Sequence, residues 1–146
     1  MSGEHMARRR WMAVLARATA ADLEAGSAHV PRYSRLRGPE VGLVMVQGRA
    51  GGTGDAFNLG EATVARCSVR TEAGLVGHSY CLGRDLRQAE LAAALDAALQ
   101  DPVTAQAVMA EVVEPLAAVQ AERRAQEARR AAATQVQFFT LATMRS

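Results

Sequence analysis

The residues best equipped for chemistry lie between Arg49 and Arg70, in the stretch RAGGTGDAFNLGEATVARCSVR. Gly51, Gly52 and Gly54 surround Thr53 just after Arg49. Clustered glycines permit positive φ and close backbone approach, so N–H groups in such a loop can converge on an anion. Arg49, Arg66 and Arg70 would supply guanidinium charge for that anion. The same glycines equally suit a flexible connection between two strands, because an isolated glycine cluster is a weak motif. No nucleophile stands beside an evident base, so no catalytic residue is assigned. His78, in VGHSYCLG, is placed between Val and Tyr in a manner more typical of a packed or partner-facing residue than of a base. Cys67 and Cys81 have neither CxxC nor His spacing, which indicates no zinc site and no disulfide framework.

These residues need elements to hold them. Val41 to Val46 reads as a strand entering the glycine loop, and Glu61 to Thr71 alternates as a strand leaving it. Thr63, Ala65, Cys67 and Val69 point one way, which predicts a buried Cys67; Val64, Arg66, Ser68 and Arg70 point the other. The turn Thr71 to Gly74 leads to Leu75–Gly83, making an antiparallel hairpin in which Val76, His78, Tyr80 and Leu82 share a face.

Upstream, residues 1–7 are expected to be disordered. Arg8 to Ala18 reads as a helix with Trp11, Met12 and Leu15 on one face. Its basic run, Arg8 to Arg10, suits a solvated surface more often than a grip on an acidic partner or phosphate. Thr19 with Asp22 forms a loose capping box for a second short helix ending near Gly26. A strand is expected over Val30 to Arg37, with a turn at Gly38-Pro39-Glu40.

Downstream, Asp85 and Gln88 cap a helix whose buried stripe is Leu91, Ala94, Leu95, Ala98 and Leu99. Asp101-Pro102 starts another, and Pro115 kinks or restarts it. Leu116 to Ala133 is long and Arg/Glu/Gln-rich. Its seam of Ala121, Ala125, Ala128 and Ala132 buries too little by itself and calls for a partner inside or outside the chain. Residues 134–146 are expected to form a C-terminal strand or docking tail, with Phe138 and Phe139 as partner-interface candidates. The whole reads as a single domain over 1–146, α+β, an antiparallel sheet flanked by N-terminal helices and long C-terminal helices.

The totals narrow the function classes. The chain has 146 residues, 31 of them alanine, and a formal charge of only +2, too little to indicate nucleic acid. All 17 basic residues are Arg. No run approaches the roughly 18 consecutive apolar residues of a membrane-crossing helix, and no leader is evident, so the expected location is cytoplasmic.

RxGGTGxxFxxGEAT followed by RCSVR resembles the signature of the PhnG family of the bacterial carbon–phosphorus lyase system. Arg10-Trp11-Met12, Gly77-His78-Ser79-Tyr80, Leu82-Gly83-Arg84-Asp85 and Phe138-Phe139-Thr140 extend the likeness over roughly Arg8 to Thr140. Met1 to Ala7 carries no such signal, and the tail Leu141 to Arg145 departs from the family's ending. The resemblance implies a subunit, inactive alone, of a complex with PhnH-like, PhnI-like and PhnJ-like proteins and, transiently, a PhnL-like ATPase. That complex would transfer a phosphonate to C1′ of ATP with release of adenine. ATP is then a substrate of the complex, no cofactor is expected on this chain, and catalysis falls mainly on a partner. C–P cleavage would belong to the radical iron–sulfur PhnJ-like subunit; this chain has neither a three-Cys cluster nor a Walker A lysine. The alternative is a structural scaffold of the same complex that touches no substrate. A stand-alone nucleotide- or RNA-binding module is disfavoured by the near-neutral charge and few aromatics.

Overall fold

The computed structural model describes residues 2–49 and 54–144, with side-chain surroundings through residue 135. Helices α1 (Ser2–Arg17) and α2 (Ala20–Glu24) and a tight turn at Ser27–His29 precede three strands, β1 (Tyr33–Arg49), β2 (Ala56–Thr71) and β3 (Val76–Leu82). Helices α3 (Leu86–Gln100), α4 (Ala105–Val108) and α5 (Glu114–Met144) follow. The sheet is antiparallel in the order β1-β2-β3, giving the expected α+β arrangement.

Helix α3 is the centre of the molecule. Its Ala89, Ala93, Ala94 and Ala97 meet Ala65, Cys67 and Val69 of β2. Its opposite side, with Leu91, Leu95 and Leu99, packs on Val14 and Leu15 of α1, Leu23 of α2, and Val108, Val112 and Val113 near the start of α5. The stripe read from the sequence is therefore buried, but so is every residue from Ala89 to Leu99. Small side chains explain how the sheet can come so close. A Cβ placed on Gly77 of β3 would lie 1.9 Å from the Ala93 carbonyl oxygen, so only glycine fits there.

Side chains cap the free edge of β3 at Val76 and His78. The Asp96 carboxylate accepts the His78 backbone N–H at 2.9 Å, and Gln100 donates its Nε2–H to the Val76 carbonyl at 2.8 Å. Edge groups satisfied in this way do not recruit another strand.

The caps and turns follow their local chemistry. Thr19 and Asp22 form a reciprocal capping box on α2, and Asp85 accepts the Gln88 N–H at the start of α3. Gly74, at φ +85°, takes the left-handed position of the turn joining β2 to β3.

Four expectations need correction. Residues 2–7 are not disordered but form the first turns of α1, where Glu4 complements the helix dipole. Gly38-Pro39 does not reverse the chain. Register shifts between Arg35 and Arg37 and between Arg37 and Glu40 absorb it as bulges, where Pro39 need not donate to the ladder. Asp101 caps a turn through Val103 N–H, and helix α4 begins only at Ala105. Pro115, by contrast, restarts the helix as expected, with α5 beginning at Glu114. The wide turn Met109–Val113 ahead of it, closed by the Glu114 N–H on the Met109 carbonyl, leads directly into α5. The C-terminal segment, expected as a strand or a docking tail, is no strand but helical through Met144, because no Gly or Pro after Pro115 stops α5.

Candidate functional site

Strands β1 and β2 form one long hairpin with the glycine loop at its tip. β3 pairs only with Val64 to Arg70 of β2. Beyond Val64, Gly42–Arg49 and Ala56–Thr63 therefore project as a two-stranded arm. On the face continuing Ala65, the arm carries Val41, Leu43 and Met45, which are 44%, 63% and 54% exposed; Phe57 and Leu59 are exposed nearer the tip. Helix α3 covers this stripe at Ala65 to Val69 and leaves the remainder bare. Helix α5 also projects, with nearly every described side chain from Ala121 onward exposed.

The predicted anion-binding residues divide along this hairpin. Arg49 pairs with Ala56 next to the tip, and Gly54 is half-buried at the foot of β2. Gly51, Gly52 and Thr53 lie outside the described residues. Arg66 stands ten positions beyond Ala56 on β2 and Arg70 fourteen, which is about 33 and 46 Å at strand rise. The three arginines thus do not converge on one anion within this chain. Because β2 begins at Ala56 rather than Glu61, Arg49 sits at one end of a stiff ribbon and Arg66 and Arg70 toward the other.

Arg66 has a structural partner. Its Nε–H donates to Glu40 Oε1 at 2.9 Å, and Arg37 donates to the same oxygen at 2.7 Å. The two guanidinium groups, Arg37 foremost, hold the Glu40 carboxyl below its ordinary range. The basic run of α1 is similarly engaged: Arg8 pairs with Asp96 and Arg10 forms a two-bond pair with Glu114, while Arg9 is exposed.

His78 lies on the exposed sheet face, where its Nδ1 is 2.7 Å from Ser68 Oγ across the β2–β3 pair. Neighbouring Tyr80 and Leu82 are 56% and 76% exposed. The shared face read from the sequence is therefore the solvent face. Phe138 and Phe139 fall within the helical span of α5, and their side chains lie outside the described residues. Cys67 and Cys81 are both buried free thiols. Burial pushes the Cys81 thiol up to about 11 and raises Cys67 as well, so neither is a ready nucleophile.

Arg70 belongs to a different feature. A cleft of about 680 Å³ opens between the Ser27–His29 turn, the start of β1, the end of β2 and the first turns of α3. Arg32, Arg70 and Arg87 line it together with Ser27, Ser34 and Tyr33. Beside it, the buried Glu90 accepts Tyr33 Oη–H at 2.9 Å and both Arg35 donors at 3.0 and 2.9 Å. Burial pushes the Glu90 carboxyl up, but the bonds from Arg35 and Tyr33 and the charges of Arg35 and Arg87 outweigh it. The net position is below the ordinary carboxylate range.

Sequence reasoning missed the two buried carboxylates, Glu90 and Asp96. A signal was available in LRQAELAAALDAALQ, where two acids sit in a helix apolar on all sides. Acids in such a helix must be buried and require donors from elsewhere. Arg32 and Arg87 were also missed, since only the tertiary fold brings them into the lining of this cleft.

The architecture defines a small α+β protein whose apolar arm its own helices leave uncovered, the kind of surface that a partner subunit fills. A family model described as "Phosphonate metabolism protein PhnG" matches residues 6–144. Over 137 residues the chain is 46% identical to the "Alpha-D-ribose 1-methylphosphonate 5-triphosphate synthase subunit PhnG" of Rhizobium meliloti (strain 1021), covering 92% of this chain and 87% of the relative. The chain belongs to the PhnG family of phosphonate metabolism proteins.

Proposed function

We propose that this chain is a subunit of a ribose 1-methylphosphonate 5-triphosphate synthase, inactive alone. The assembled enzyme joins a phosphonate oxygen to C1′ of ATP as the C1′–N bond to adenine breaks. The observation that carries this reading is the 46% identity, over nearly the full chain, to a protein named as a subunit of that synthase. Two features of the fold support it. The arm around Leu43 and Met45 and the outer half of α5 both leave surface that a second subunit would cover. We assign the arm to another subunit of the same cytoplasmic complex, formed with PhnH-like, PhnI-like and PhnJ-like proteins and visited by a PhnL-like one. The argument is continuity: the bare stripe prolongs the sheet face that α3 already covers, so a partner helix laid end to end with α3 completes the layer.

In this role the chain supplies donors and position rather than a nucleophile. Displacement at C1′ needs the triphosphate held and the phosphonate aligned behind the anomeric carbon. Arg49 and the glycine loop at the end of the arm are carried toward whatever the arm docks on.

Co-expression with the PhnH-, PhnI- and PhnJ-like proteins of the same source, followed by size exclusion with light scattering and an assay of adenine release from ATP and methylphosphonate, tests this reading. A defined heteromer releasing adenine, with no release by the chain alone, is the expected result. A monomer that ignores those partners would sink it. Loss of activity in Arg49→Ala within an intact complex would favour substrate contact. Unchanged activity there, with assembly broken by Gly52→Val, would favour the scaffold alternative.

A further inference from the structure

We propose that the groove between α1 and the outer edge of β3 takes an extended, acid-bearing segment of another subunit as a fourth strand of the sheet. The source of that segment rests on the subunit reading; its form follows from the groove. The Thr71 N–H donates to the Leu75 carbonyl and the Gly83 N–H to the Thr63 carbonyl, which fixes how β3 bonds to β2. Odd-numbered residues of β3 turn their backbone groups toward β2, so Val76, His78, Tyr80 and Leu82 turn theirs outward. Asp96 and Gln100 take up the His78 N–H and the Val76 carbonyl. No group among the described residues bonds the outward N–H and C=O of Tyr80 or Leu82. The capping thus stops halfway along β3 and leaves donors and acceptors on which an extended chain can pair.

Helix α1 stands beside this open half. Two adjoining hollows of about 240 and 390 Å³ lie between helix and strand, and Ala13, Ala16 and Tyr80 line both. Small side chains on α1 keep that wall low, so the space next to the edge stays open. A groove walled by a strand edge and a helix suits an extended segment. Its main chain bonds to the edge while alternate side chains enter the hollows. A helix laid there would satisfy its own backbone and leave the Tyr80 N–H unpaired. Charge completes the description of the occupant. Among the described residues no acid lines either hollow. Arg17, exposed and outside every ion pair among the described residues, lines the larger one. An Asp or Glu on the incoming strand complements it.

Amide-resolved hydrogen exchange on the assembled complex tests the proposal. The Ser79 and Cys81 amides are bonded to β2 with or without a partner and serve as the internal reference. The Tyr80 and Leu82 amides should be protected to the same level as these two. An alternating pattern, slow at Ser79 and Cys81 and fast at Tyr80 and Leu82, overturns the added strand. Arg17→Glu should weaken the chain's affinity for the other subunits by roughly tenfold or more, the loss typical of a charged hydrogen bond, and Arg17→Lys by much less. Arg17 is exposed, so neither variant disturbs the fold. Unchanged affinity in Arg17→Glu, or equal loss in both variants, overturns the acid-bearing occupant. Failure of the parent chain to join any complex sinks the subunit reading and this proposal together, whereas an intact complex with alternating exchange sinks the strand alone.

Discussion

Asp96, fully buried in α3, takes the Arg8 guanidinium of α1 at 2.8 Å while its oxygens also accept the Trp11 Nε1–H at 2.8 Å and the His78 backbone N–H at 2.9 Å. One carboxylate thereby fastens the first helix and the edge strand to the central helix.

Asp96→Ala removes an acceptor from three donors at once. We expect a loss of about 3–5 kcal/mol in urea unfolding, the usual cost of breaking a buried pair from one side. Arg8→Ala should cost less, because the Arg8 side chain is one-third exposed and water can replace part of its role. Equal losses for the two variants would contradict this account.

Gly77→Ala tests the closeness of α3 to the sheet. Its Cβ would meet backbone, the Ala93 oxygen at 1.9 Å, rather than a side chain able to turn away. A destabilisation of about 2–3 kcal/mol is expected by thermal unfolding. Gly3→Ala, where a Cβ meets nothing within 4 Å, is the contrasting control.

Glu90 gives the fold an acid-sensitive contact. Its carboxyl lies below the ordinary 4.5 when folded. As pH falls below about 4.5, the unfolded chain takes up the proton first, so stability is lost between that value and the lower folded one. Above that window the contribution is fully present. Melting temperatures from pH 7 to pH 3 should fall less steeply in Glu90→Gln than in the parent; parallel curves would refute the assignment.

The two thiols should report global unfolding. With Cys81 raised to about 11, its thiolate fraction at pH 8 is on the order of one in a thousand, and the side chain is buried. Alkylation of Cys67 and Cys81 should follow the unfolding rate as urea is added. Rapid labelling of the native chain would show that the sheet–helix layer opens locally.

Leu43→Ser with Met45→Ser should leave the isolated chain's stability within about 0.5 kcal/mol, since both side chains are more than half exposed. The same pair should abolish co-purification with the other subunits. Retained assembly would remove the arm from the interface.

Much of this protein was legible residue by residue. Alternation placed Ala65, Cys67 and Val69 on one face of β2, Thr19 and Asp22 announced α2, and Asp85 with Gln88 announced α3. These are short-range effects, set by strand period and by hydrogen bonds spanning three or four residues. The motif Arg49 to Arg70 also carried the family, which the comparisons bear out. Partners distant in sequence were not legible. Arg8 and Asp96 are 88 positions apart, Arg35 and Glu90 are 55, and Arg32, Arg70 and Arg87 come to line one cleft only when β1, β2 and α3 pack. The sequence by itself determined most of the elements, the caps of α2 and α3 and the family. Tertiary structure alone decided that a stiff hairpin separates Arg49 from Arg70 and which donors meet the two buried acids of α3. A side chain's local period says which way it faces, whereas its charge partner depends on how whole elements dock.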